Sequence, residues 1–425
     1  MKTRINISLF FLGLGGQIAW AIENQFFNTF LYDRIIPDPR YVSIMVALSS
    51  ITATITAIVM GALSDSLGRR KPFLLYGYLA WSVSIWVIPM AQWIKPVLLA
   101  AWVVIFLDSL MTFFGSTSYD AVYNAYLTDV TNDTNRGKAQ GLLSLATWFA
   151  LLIVYGTSGP IVEKFGYFIF FGIAGALVFI SGIAGGIAAI EPQRAIVPVR
   201  EPLLKRIRQS LNTGALRQNK NLLYVLLAIG FWGMAFNVFF PYLLIYLKHF
   251  LKVDIATSSI LIAVSILVGG ILASLPAGIL ADKVGRKPIA VFAVILISAS
   301  LIAFSFARQP LTIGILATMW IIAQTIWMTA TGAWSKDLFP EERRGEFAGY
   351  FTLFYVAFTM IPGPLIGAVV ASTWGIKTTI DGKPGIIPTP EIFTVSAILI
   401  LITIVPLLFA KDLREMVKQD GGSQT

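Results

Sequence analysis

The stretch that decides the fold is short and occurs twice. Residues 61–72 read Gly61-Ala-Leu-Ser-Asp65-Ser-Leu-Gly68-Arg69-Arg70-Lys71-Pro72, and residues 278–288 read Gly278-Ile-Leu-Ala-Asp282-Lys-Val-Gly285-Arg286-Lys287-Pro288. Two Gly, one Asp and one Arg recur at a constant offset of 217 residues. Such a segment suits a tight turn between two helices, because glycine adopts backbone torsions that other residues avoid. An aspartate at the helix end can accept charge-assisted hydrogen bonds from an arginine or a helix N-terminus.

A second pair of motifs recurs in the same order. Asp129…Arg136-Gly137…Gly141 matches Asp337…Arg344-Gly345…Gly349 at a constant offset of 208. The two halves are therefore interpreted as parallel structural copies, with the substrate path between them. We predict that a cytoplasmic gate is formed by the charged and glycine residues of these motifs: Gly61, Asp65, Gly68, Arg69, Asp129, Arg136, Asp282, Gly285, Arg286, Asp337 and Arg344.

Composition places this repeat in a membrane. The 425 residues are 56% hydrophobic and 13% charged, whereas soluble domains carry about 25% charged residues. This composition therefore argues against a soluble enzyme and against a disordered chain. There is no Cys and a single His, His249, so disulfides, thiol catalysis and Cys- or His-rich metal sites are excluded. We expect neither a metal nor a cofactor.

Twelve stretches are long and apolar enough to span a bilayer as helices, each without Lys or Arg. They are residues 5–31, 41–63, 73–94, 97–119, 140–162, 166–190, 221–247, 255–281, 289–307, 310–334, 347–372 and 391–410. Strands of a membrane barrel would alternate in polarity and span only about 10 residues. The sequence predicts an all-α membrane protein of twelve transmembrane helices in two pseudo-symmetric six-helix bundles.

The basic residues predict the orientation. If both termini are cytoplasmic, 23 of the 32 Lys and Arg lie on the cytoplasmic side, as the positive-inside rule requires. The net charge of +10 is then a topology signal and an attraction to anionic membrane lipid, and not a nucleic-acid surface. The predicted domains are an N-terminal bundle (1–190), a basic cytoplasmic linker (191–220), a C-terminal bundle (221–410) and a cytoplasmic tail (411–425).

With its repeated motif and its arrangement of six plus six helices, the chain resembles the major facilitator superfamily over essentially its whole length. The motif that carries the resemblance is Gly61-x-x-x-Asp65-x-x-Gly68-Arg69-Arg70-Lys71 with its second copy. The resemblance implies transport by alternating access, with rocking of the two halves in the cell membrane. It also implies that the first, fourth, seventh and tenth helices line the cavity.

A finer resemblance is to the glycoside–pentoside–hexuronide:cation symporters and the sucrose transporters. It is carried by Asn124-Ala-Tyr-Leu-Thr-Asp129…Asp133…Arg136 and by Phe27-Asn-Thr-Phe-Leu-Tyr32-Asp33. The chain departs from the sodium-coupled symporters of that group in two ways. Their paired acids in helix two are replaced by Thr52, Thr54, Thr56 and serines, and their helix-one acid falls at Gln17.

Two acids inside the predicted spans are the candidates for proton coupling. Glu23 lies in helix one and Asp108 near the middle of helix four, and no span offers a cationic partner. Intramembrane acids are costly and mark ion or substrate pathways. The alternative is a carboxyl that only hydrogen bonds to substrate or to a neighbouring helix. Asp120, closer to the cytoplasmic end, is expected to support the following loop.

Helical spacing predicts faces for solute binding. In helix ten, Trp320, Gln324 and Trp327 share a face with Thr331 and Trp334, at about 100° per residue. Aromatic rings beside amides and carboxyls suit a polyhydroxylated ligand, since rings stack on sugar C–H faces. The alternative is ordinary helix packing. The predicted binding residues of the four helices are Gln17, Trp20, Asn24, Asn28, Thr112, Tyr119, Trp232, Asn237, Trp320, Gln324 and Trp327.

The predicted function is secondary active transport, with proton-coupled symport of a sugar or similar polyhydroxylated solute by a monomer. The alternative is a proton-coupled exporter of drug-like or amphipathic compounds, which Gly156-x-x-Gly159-Pro160 faintly suggests. An enzyme is not expected, because no H-E-x-x-H, G-x-S-x-G or Walker loop is present.

Overall fold

The protein is almost entirely helical. The structure, a computed structural model, describes residues 3–131, 135–191, 216, 219–339 and 350–412, without the side chains of residues 136 and 137. Its long helices are α1 (Thr3–Ile35), α2 (Pro39–Leu67), α3 (Lys71–Trp93), α4 (Val97–Asp129), α5 and α6 (together Arg136–Ala188), α7 (Lys220–Phe250), α8 (Ile255–Val284), α9 (Arg286–Phe306), α10 (Pro310–Asp337), α11 (Tyr350–Trp374) and α12 (Glu391–Phe409).

Twelve membrane spans follow from these helices, as predicted. Eleven helices of the described ranges are long and apolar enough to cross a membrane. One of them, Arg136–Ala188, holds two spans because the chain turns at Gly166, whose φ of 80° and ψ of 172° are not helical. Glycine tolerates this positive φ without a steric clash. We call residues 136–165 α5 and residues 167–188 α6.

Several helices run further than the apolar stretches that predicted them. Helix α4 ends at Asp129 and not at residue 119, and α1 ends at Ile35 and not at residue 31. The length of the apolar run reflects the thickness of the hydrocarbon layer, whereas the helix continues until residues that terminate a helix follow. Pro37 and Pro39 follow the end of α1, and proline disfavours helix in the residue before it.

Wide turns interrupt several of the helices. The π-helical segments Glu23–Phe27 and Leu31–Ile35 lie in α1, Ser116–Tyr123 in α4 and Tyr246–Phe250 in α7. A π turn is rare and concentrates at functional sites. Each one also rotates the side chains that follow it, so faces worked out for a regular α-helix do not continue across it.

A β-hairpin lies between α11 and α12, which the sequence analysis did not predict. Strands β1 (Ile376–Ile380) and β2 (Lys383–Ile387) pair antiparallel, with Ile380 opposite Lys383. The two-residue loop is Asp381-Gly382, with positive φ angles of 47° and 77°. Asp-Gly is a strong hairpin signal, so the sequence did contain the information.

The described residues form two compact units. The first unit draws on Met1–Gln209, Pro241–Ile260 and Ile376–Ile387, and the second on Ser210–Phe240, Leu261–Gly375 and Pro388–Thr425. In each unit we call the helix ends that carry the repeated turn the motif end. In the first unit the opposite end, where α1 meets the hairpin, is the hairpin end. Most of the predicted linker and tail (192–215, 217–218 and 413–425) lies outside the described residues.

Candidate transport site

Two buried carboxyl groups lie side by side in the first unit. Thr112 of α4 donates a hydrogen bond from Oγ1 to Oε1 of Glu23 in α1, at 3.0 Å. Asp108 is one helical turn before Thr112, is 1% exposed, and is close enough to Glu23 for electrostatic interaction. Among the described residues, Oε2 of Glu23 and Oδ1 of Asp108 have no hydrogen-bond partner.

No described cation neutralises this pair. The ion pairs of the first unit lie at the ends of the helices, and in the described ranges none of them includes Glu23, Asp108 or Asp120. An isolated carboxylate away from water is costly, so such a group takes up a proton or a cationic partner. The arrangement can therefore bind and release a proton, or receive a cationic ligand.

A polar stripe continues from this pair along α4. Asp108, Thr112, Ser116 and Asp120 follow one another at intervals of four residues. Ser116 donates from Oγ to Oδ2 of Asp120 at 2.8 Å, inside the π segment. Asp120 also interacts with Trp20 of α1, so its described partners lie in α1 and α4, whereas we expected them in the following loop. The four-residue spacing was visible in the sequence but was not used there.

Of the residues predicted on α1, the structure brings Gln17 against α4. Nε2 of Gln17 donates to the hydroxyl of Tyr119 at 2.7 Å, and the Tyr119 ring stacks on Tyr123 at 5.0 Å. Gly16 permits this approach, because a Cβ there would lie 2.2 Å from a ring carbon of Tyr119. Trp20 contacts Trp81 of α3, with ring centroids 5.0 Å apart.

The two predicted asparagines of α1 use their donors locally. Nδ2 of Asn24 donates to the Trp20 carbonyl, and Nδ2 of Asn28 to the Asn24 carbonyl, each at 2.8 Å. Oδ1 of Asn28 is buried and has no partner among the described residues. That oxygen remains available to a ligand donor.

In the second unit, three residues predicted to bind solute contact one another. The Trp232 indole donates from Nε1 to Oε1 of Gln324 at 2.7 Å. The Trp232 ring stacks on Trp327, with centroids 4.3 Å apart and planes 2° from parallel. Trp327 is 1% exposed. These ring faces are therefore covered by each other in this conformation.

The remaining two predicted residues of the second unit lie close by. Trp320 packs edge-on against Phe236 and Phe239, and its Nε1 has no partner in the described part of the chain. Asn237 donates from Nδ2 to the Gly233 carbonyl at 2.8 Å. Buried indole donors usually find a partner. The free Nε1 of Trp320 is therefore a second group available to a ligand.

At the motif end of the first unit, Arg70 organises the predicted gate residues. It is 4% exposed and binds Asp65 of α2 at 2.6 Å and Asp129 of α4 at 3.0 Å. Its Nη1 also donates to Oγ of Ser64 at 2.6 Å. Arg69, which the repeat offset singled out, is exposed. Gly68 ends α2 in the left-handed conformation, with φ at 63°, and Gly61 lies within α2 near Ala121.

The second unit repeats this arrangement around Arg286. Arg286 binds Asp282 at 2.5 Å, and its Nε lies 3.7 Å from Asp337. Gly285 precedes it with φ at 113°. Structurally, Arg70-Lys71-Pro72 corresponds to Arg286-Lys287-Pro288, an offset of 216 and not 217. The turn of the first unit is one residue longer, and Arg69 is the extra residue. Arg344 lies outside the described residues, as does the side chain of Arg136.

An acid at the end of the sixth and twelfth helices completes each motif end, which sequence reasoning missed. Glu191 accepts from the backbone N–H groups of Arg70 at 3.0 Å and Lys71 at 2.9 Å. Asp412 accepts from the Lys287 N–H at 3.1 Å. Both carboxylates cap the N-terminus of a helix, where negative charge is favoured. Their offset of 221 differs from that of the other motifs, which hid the correspondence.

Comparison with known proteins identifies the family. The sequence pattern of the Major Facilitator Superfamily matches residues 5–272 and 233–424. The chain belongs to the Major Facilitator Superfamily. A curated relative, the uncharacterized MFS-type transporter YhjO of Bacillus subtilis, is 28% identical over 130 residues. That match spans only 31% of this chain and 32% of YhjO.

Solved structures of Major Facilitator Superfamily transporters share the fold. The xylose transporter XylE from E. coli matches with a TM-score of 0.70 and 14% identity, over 96% of this chain and 97% of that one. The nucleoside transporter NupG matches with a TM-score of 0.68 and 15% identity, over 95% and 97%. A bacterial homologue of the human lysosomal transporter Spinster matches with a TM-score of 0.70 and 11% identity, over 96% and 95%.

Membership of the Major Facilitator Superfamily confirms the resemblance seen in the sequence and the expected fold of twelve helices in two bundles. The family and the relatives found are transporters, so the expectation that this protein is not an enzyme is also confirmed. The protein is a multi-pass membrane transporter. At 15% identity or below, the likeness to XylE and NupG carries the fold alone.

Proposed function

We propose that this Major Facilitator Superfamily protein is a proton-coupled symporter of a sugar or similar polyhydroxylated solute, and that it works by alternating access. The observation that carries the proposal is the buried carboxyl pair of Glu23 and Asp108, for which the described residues provide no counter-cation. A carboxyl that is protonated when dry and ionised when water reaches it can couple a proton to a change of conformation.

The solute class follows from the groups that remain available to a ligand. Asn28 Oδ1 and Trp320 Nε1 are buried polar atoms without a partner in the described ranges, one an acceptor and one a donor. Gln17 and Tyr119 add an amide and a hydroxyl where α1 meets α4. A solute rich in hydroxyl groups can both donate and accept, so it suits the free groups of each unit taken separately. The xylose transporter XylE shares the fold, but the solute class is inferred from the side chains of this protein.

A second candidate function is proton-coupled export of drug-like or amphipathic compounds, and two observations favour it. The rings of Trp232 and Trp327 cover each other, so their faces do not stack on a sugar in this conformation. The acids Glu23, Asp108 and Asp120 have no described cationic partner. An amphipathic cation would offer the missing charge to the acids. Ethidium movement against a pH gradient would favour this function over sugar uptake.

We further propose an orientation in the membrane. The motif end and both termini face the cytoplasm, and the hairpin end faces outward. The N-terminal bundle (1–190) and the C-terminal bundle (221–410) act as the two rocking halves, joined by the basic linker 191–220 and followed by the tail 411–425. One chain suffices for transport. The partners are a solute, a proton and membrane lipid.

The test compares uphill uptake of radiolabelled sugars by proteoliposomes that contain the parent protein, the Asp108→Asn variant or the Glu23→Gln variant, under an imposed pH gradient. Both variants lose a titratable group but keep a similar shape. We expect Asp108→Asn to abolish uphill uptake and to retain exchange of labelled for unlabelled sugar. Intact uphill uptake in both variants would refute the coupling assignment.

A further inference from the structure

Asp33, at the hairpin end of α1, is a buried charged group that is bonded by three different side chains. Its carboxylate accepts from the hydroxyl of Tyr167 on α6 at 2.8 Å and lies 2.7 Å from Nε2 of His249 on α7. The Lys248 ammonium donates to the same oxygen as Tyr167. Side chains from two helices, α6 and α7, therefore converge on one carboxylate of α1, which is 5% exposed.

The backbone on both sides of this contact is π-helical. Asp33 lies in the segment Leu31–Ile35, and Lys248 and His249 lie in the segment Tyr246–Phe250. Wide turns of this kind are rare and are frequent at functional sites. Two such turns that face each other through an ion pair therefore make this junction a candidate functional contact.

The hairpin between α11 and α12 fixes the α1 side of this junction. Lys383 of β2 donates from Nζ to the carbonyls of Arg34 at 3.0 Å and Ile35 at 2.9 Å. The Tyr32 hydroxyl donates to the Ile386 carbonyl at 2.7 Å. The Lys383 bonds satisfy free carbonyls at the end of α1, and together with the Tyr32 bond they tie the helix end that carries Asp33 to the hairpin.

We propose that Asp33, Lys248 and His249 form a gate that joins the hairpin ends of α1 and α7 and must open in each transport cycle. A charged, hydrogen-bonded contact suits this role because water can replace its bonds when the helix ends part, whereas a packed apolar contact has no such replacement. This gate lies at the end opposite to the one predicted from the sequence. The inference rests on membership of the transporter family and not on the proposed solute or proton.

His249 adds a pH dependence to the gate. A histidine gains a positive charge between about pH 8 and pH 5, whereas lysine is charged throughout this range. The charged and titratable groups around His249 are Asp33 and Lys248, the Tyr32 ring at 5.2 Å, Tyr167 and Arg34 behind Asp33, and Lys383 on the hairpin. Asp33 is the anion of this set. Protonated His249 therefore strengthens closure, and it can replace Lys248 when that residue is removed.

The test uses the absence of cysteine from the sequence. Thr29 lies one turn before Asp33 on α1 and is 1% exposed, so a Thr29→Cys variant reports access from the hairpin end. A membrane-impermeant maleimide is added to right-side-out and to inverted vesicles. A separate Lys252→Cys variant, at an exposed loop position, identifies which preparation presents the hairpin end.

In the Thr29→Cys background, we expect Asp33→Asn to raise the labelling rate about tenfold at pH 6 and at pH 8. Lys248→Met should label as fast as Asp33→Asn at pH 8 but several-fold more slowly at pH 6, because an imidazolium at position 249 can pair with Asp33. Lys248→Met with His249→Gln should label fast at both pH values. Rates are expressed relative to the Thr29→Cys parent at the same pH, which cancels the ionisation of the thiol.

The matched control is Lys252→Met, which removes a lysine four residues from Lys248 and should leave labelling unchanged. A thermal unfolding scan of each variant shows whether it is folded, and Lys248→Met serves if Asp33→Asn is not. Labelling of Lys248→Met at the rate of the Thr29→Cys parent at both pH values would overturn the gate. Equal labelling of Lys248→Met at pH 6 and pH 8 would overturn the role of His249.

Discussion

Single residues decide the chemistry of this transporter, and Thr112 is a clear example. Its hydroxyl donates to Glu23 at 3.0 Å and so orients the carboxyl that faces Asp108. The sequence predicted that Glu23, Asp108 and Thr112 belong to a site, because acids in apolar spans are rare. It did not predict which of them touch, since that depends on how α1 and α4 pack.

We predict that Thr112→Val reduces proton-driven uptake about tenfold, because a hydrogen bond to a charged group is worth about 1.5–3 kcal/mol and 1.4 kcal/mol is a factor of ten. Thr112→Ser should stay close to the parent. Ser109→Ala is the control, because Ser109 donates only to the backbone carbonyl of Ile105 in its own helix. Uptake kinetics in proteoliposomes give the measurement, and equal rates for Thr112→Val and Ser109→Ala would contradict the prediction.

A second prediction at this scale concerns the indole donors. Trp232→Phe keeps the ring that stacks on Trp327 but leaves Oε1 of Gln324 without its donor. An unsatisfied buried acceptor costs about 1–3 kcal/mol, so the variant should melt several degrees lower in detergent. Trp334→Phe is the control, because Nε1 of Trp334 has no partner among the described residues. Similar melting temperatures for both variants would show that the bond to Gln324 is unimportant.

At the scale of elements, the turns explain both the success and the errors of the sequence analysis. The repeated glycines and acids located the turns at the motif ends. The constant offset of 217, however, paired Arg69 with Arg286, whereas the structure gives that position to Arg70. One inserted residue in the turn shifts the register without disturbing the motif. The π segments had a similar effect, since a helical wheel does not anticipate their extra residue per turn.

The turn between α2 and α3 yields a prediction. Arg70→Gln removes the hydrogen bonds of the buried guanidinium to Asp65 and Asp129, and a hydrogen bond to a charged group is worth about 1.5–3 kcal/mol. Arg69→Gln, at an exposed position, should stay within about 0.5 kcal/mol of the parent. Arg286→Gln should lie between them, because Nε of Arg286 is 3.7 Å from Asp337. Chemical unfolding in detergent gives the order, and a larger effect of Arg69→Gln would reverse the assignment.

The contact between α1 and α4 yields another prediction. A methyl group at Gly16 would overlap the Tyr119 ring, so Gly16→Ala should separate the helices and break the bond from Gln17 to Tyr119. We expect a loss of at least about 2 kcal/mol of stability, typical of overpacking. Gly172→Ala is the control, because nothing lies within 4 Å of its added methyl. It should be neutral or stabilising, and the same loss in both variants would contradict the account.

At the scale of the whole molecule, composition and repeats were sufficient for the fold. Twelve apolar stretches and two repeated motifs predicted the twelve spans and the family, because the bilayer dictates helix length and the turns recur. The hairpin at Asp381-Gly382 and the Asp33 cluster were missed. The hairpin itself has a local turn signal that was overlooked. Its contact with α1 and the contacts of Asp33 with α6 and α7 join segments more than 100 residues apart, and single-chain patterns do not report which distant segments meet.

The most direct test of proton coupling is proton movement on addition of sugars. Purified protein is reconstituted into proteoliposomes with a pH dye trapped inside, and a panel of mono- and disaccharides is added outside. We predict that at least one sugar acidifies the lumen, and that the Asp108→Asn variant loses this response while it still exchanges that sugar. Sugar accumulation without proton movement, or an unchanged response in Asp108→Asn, would contradict the central claim.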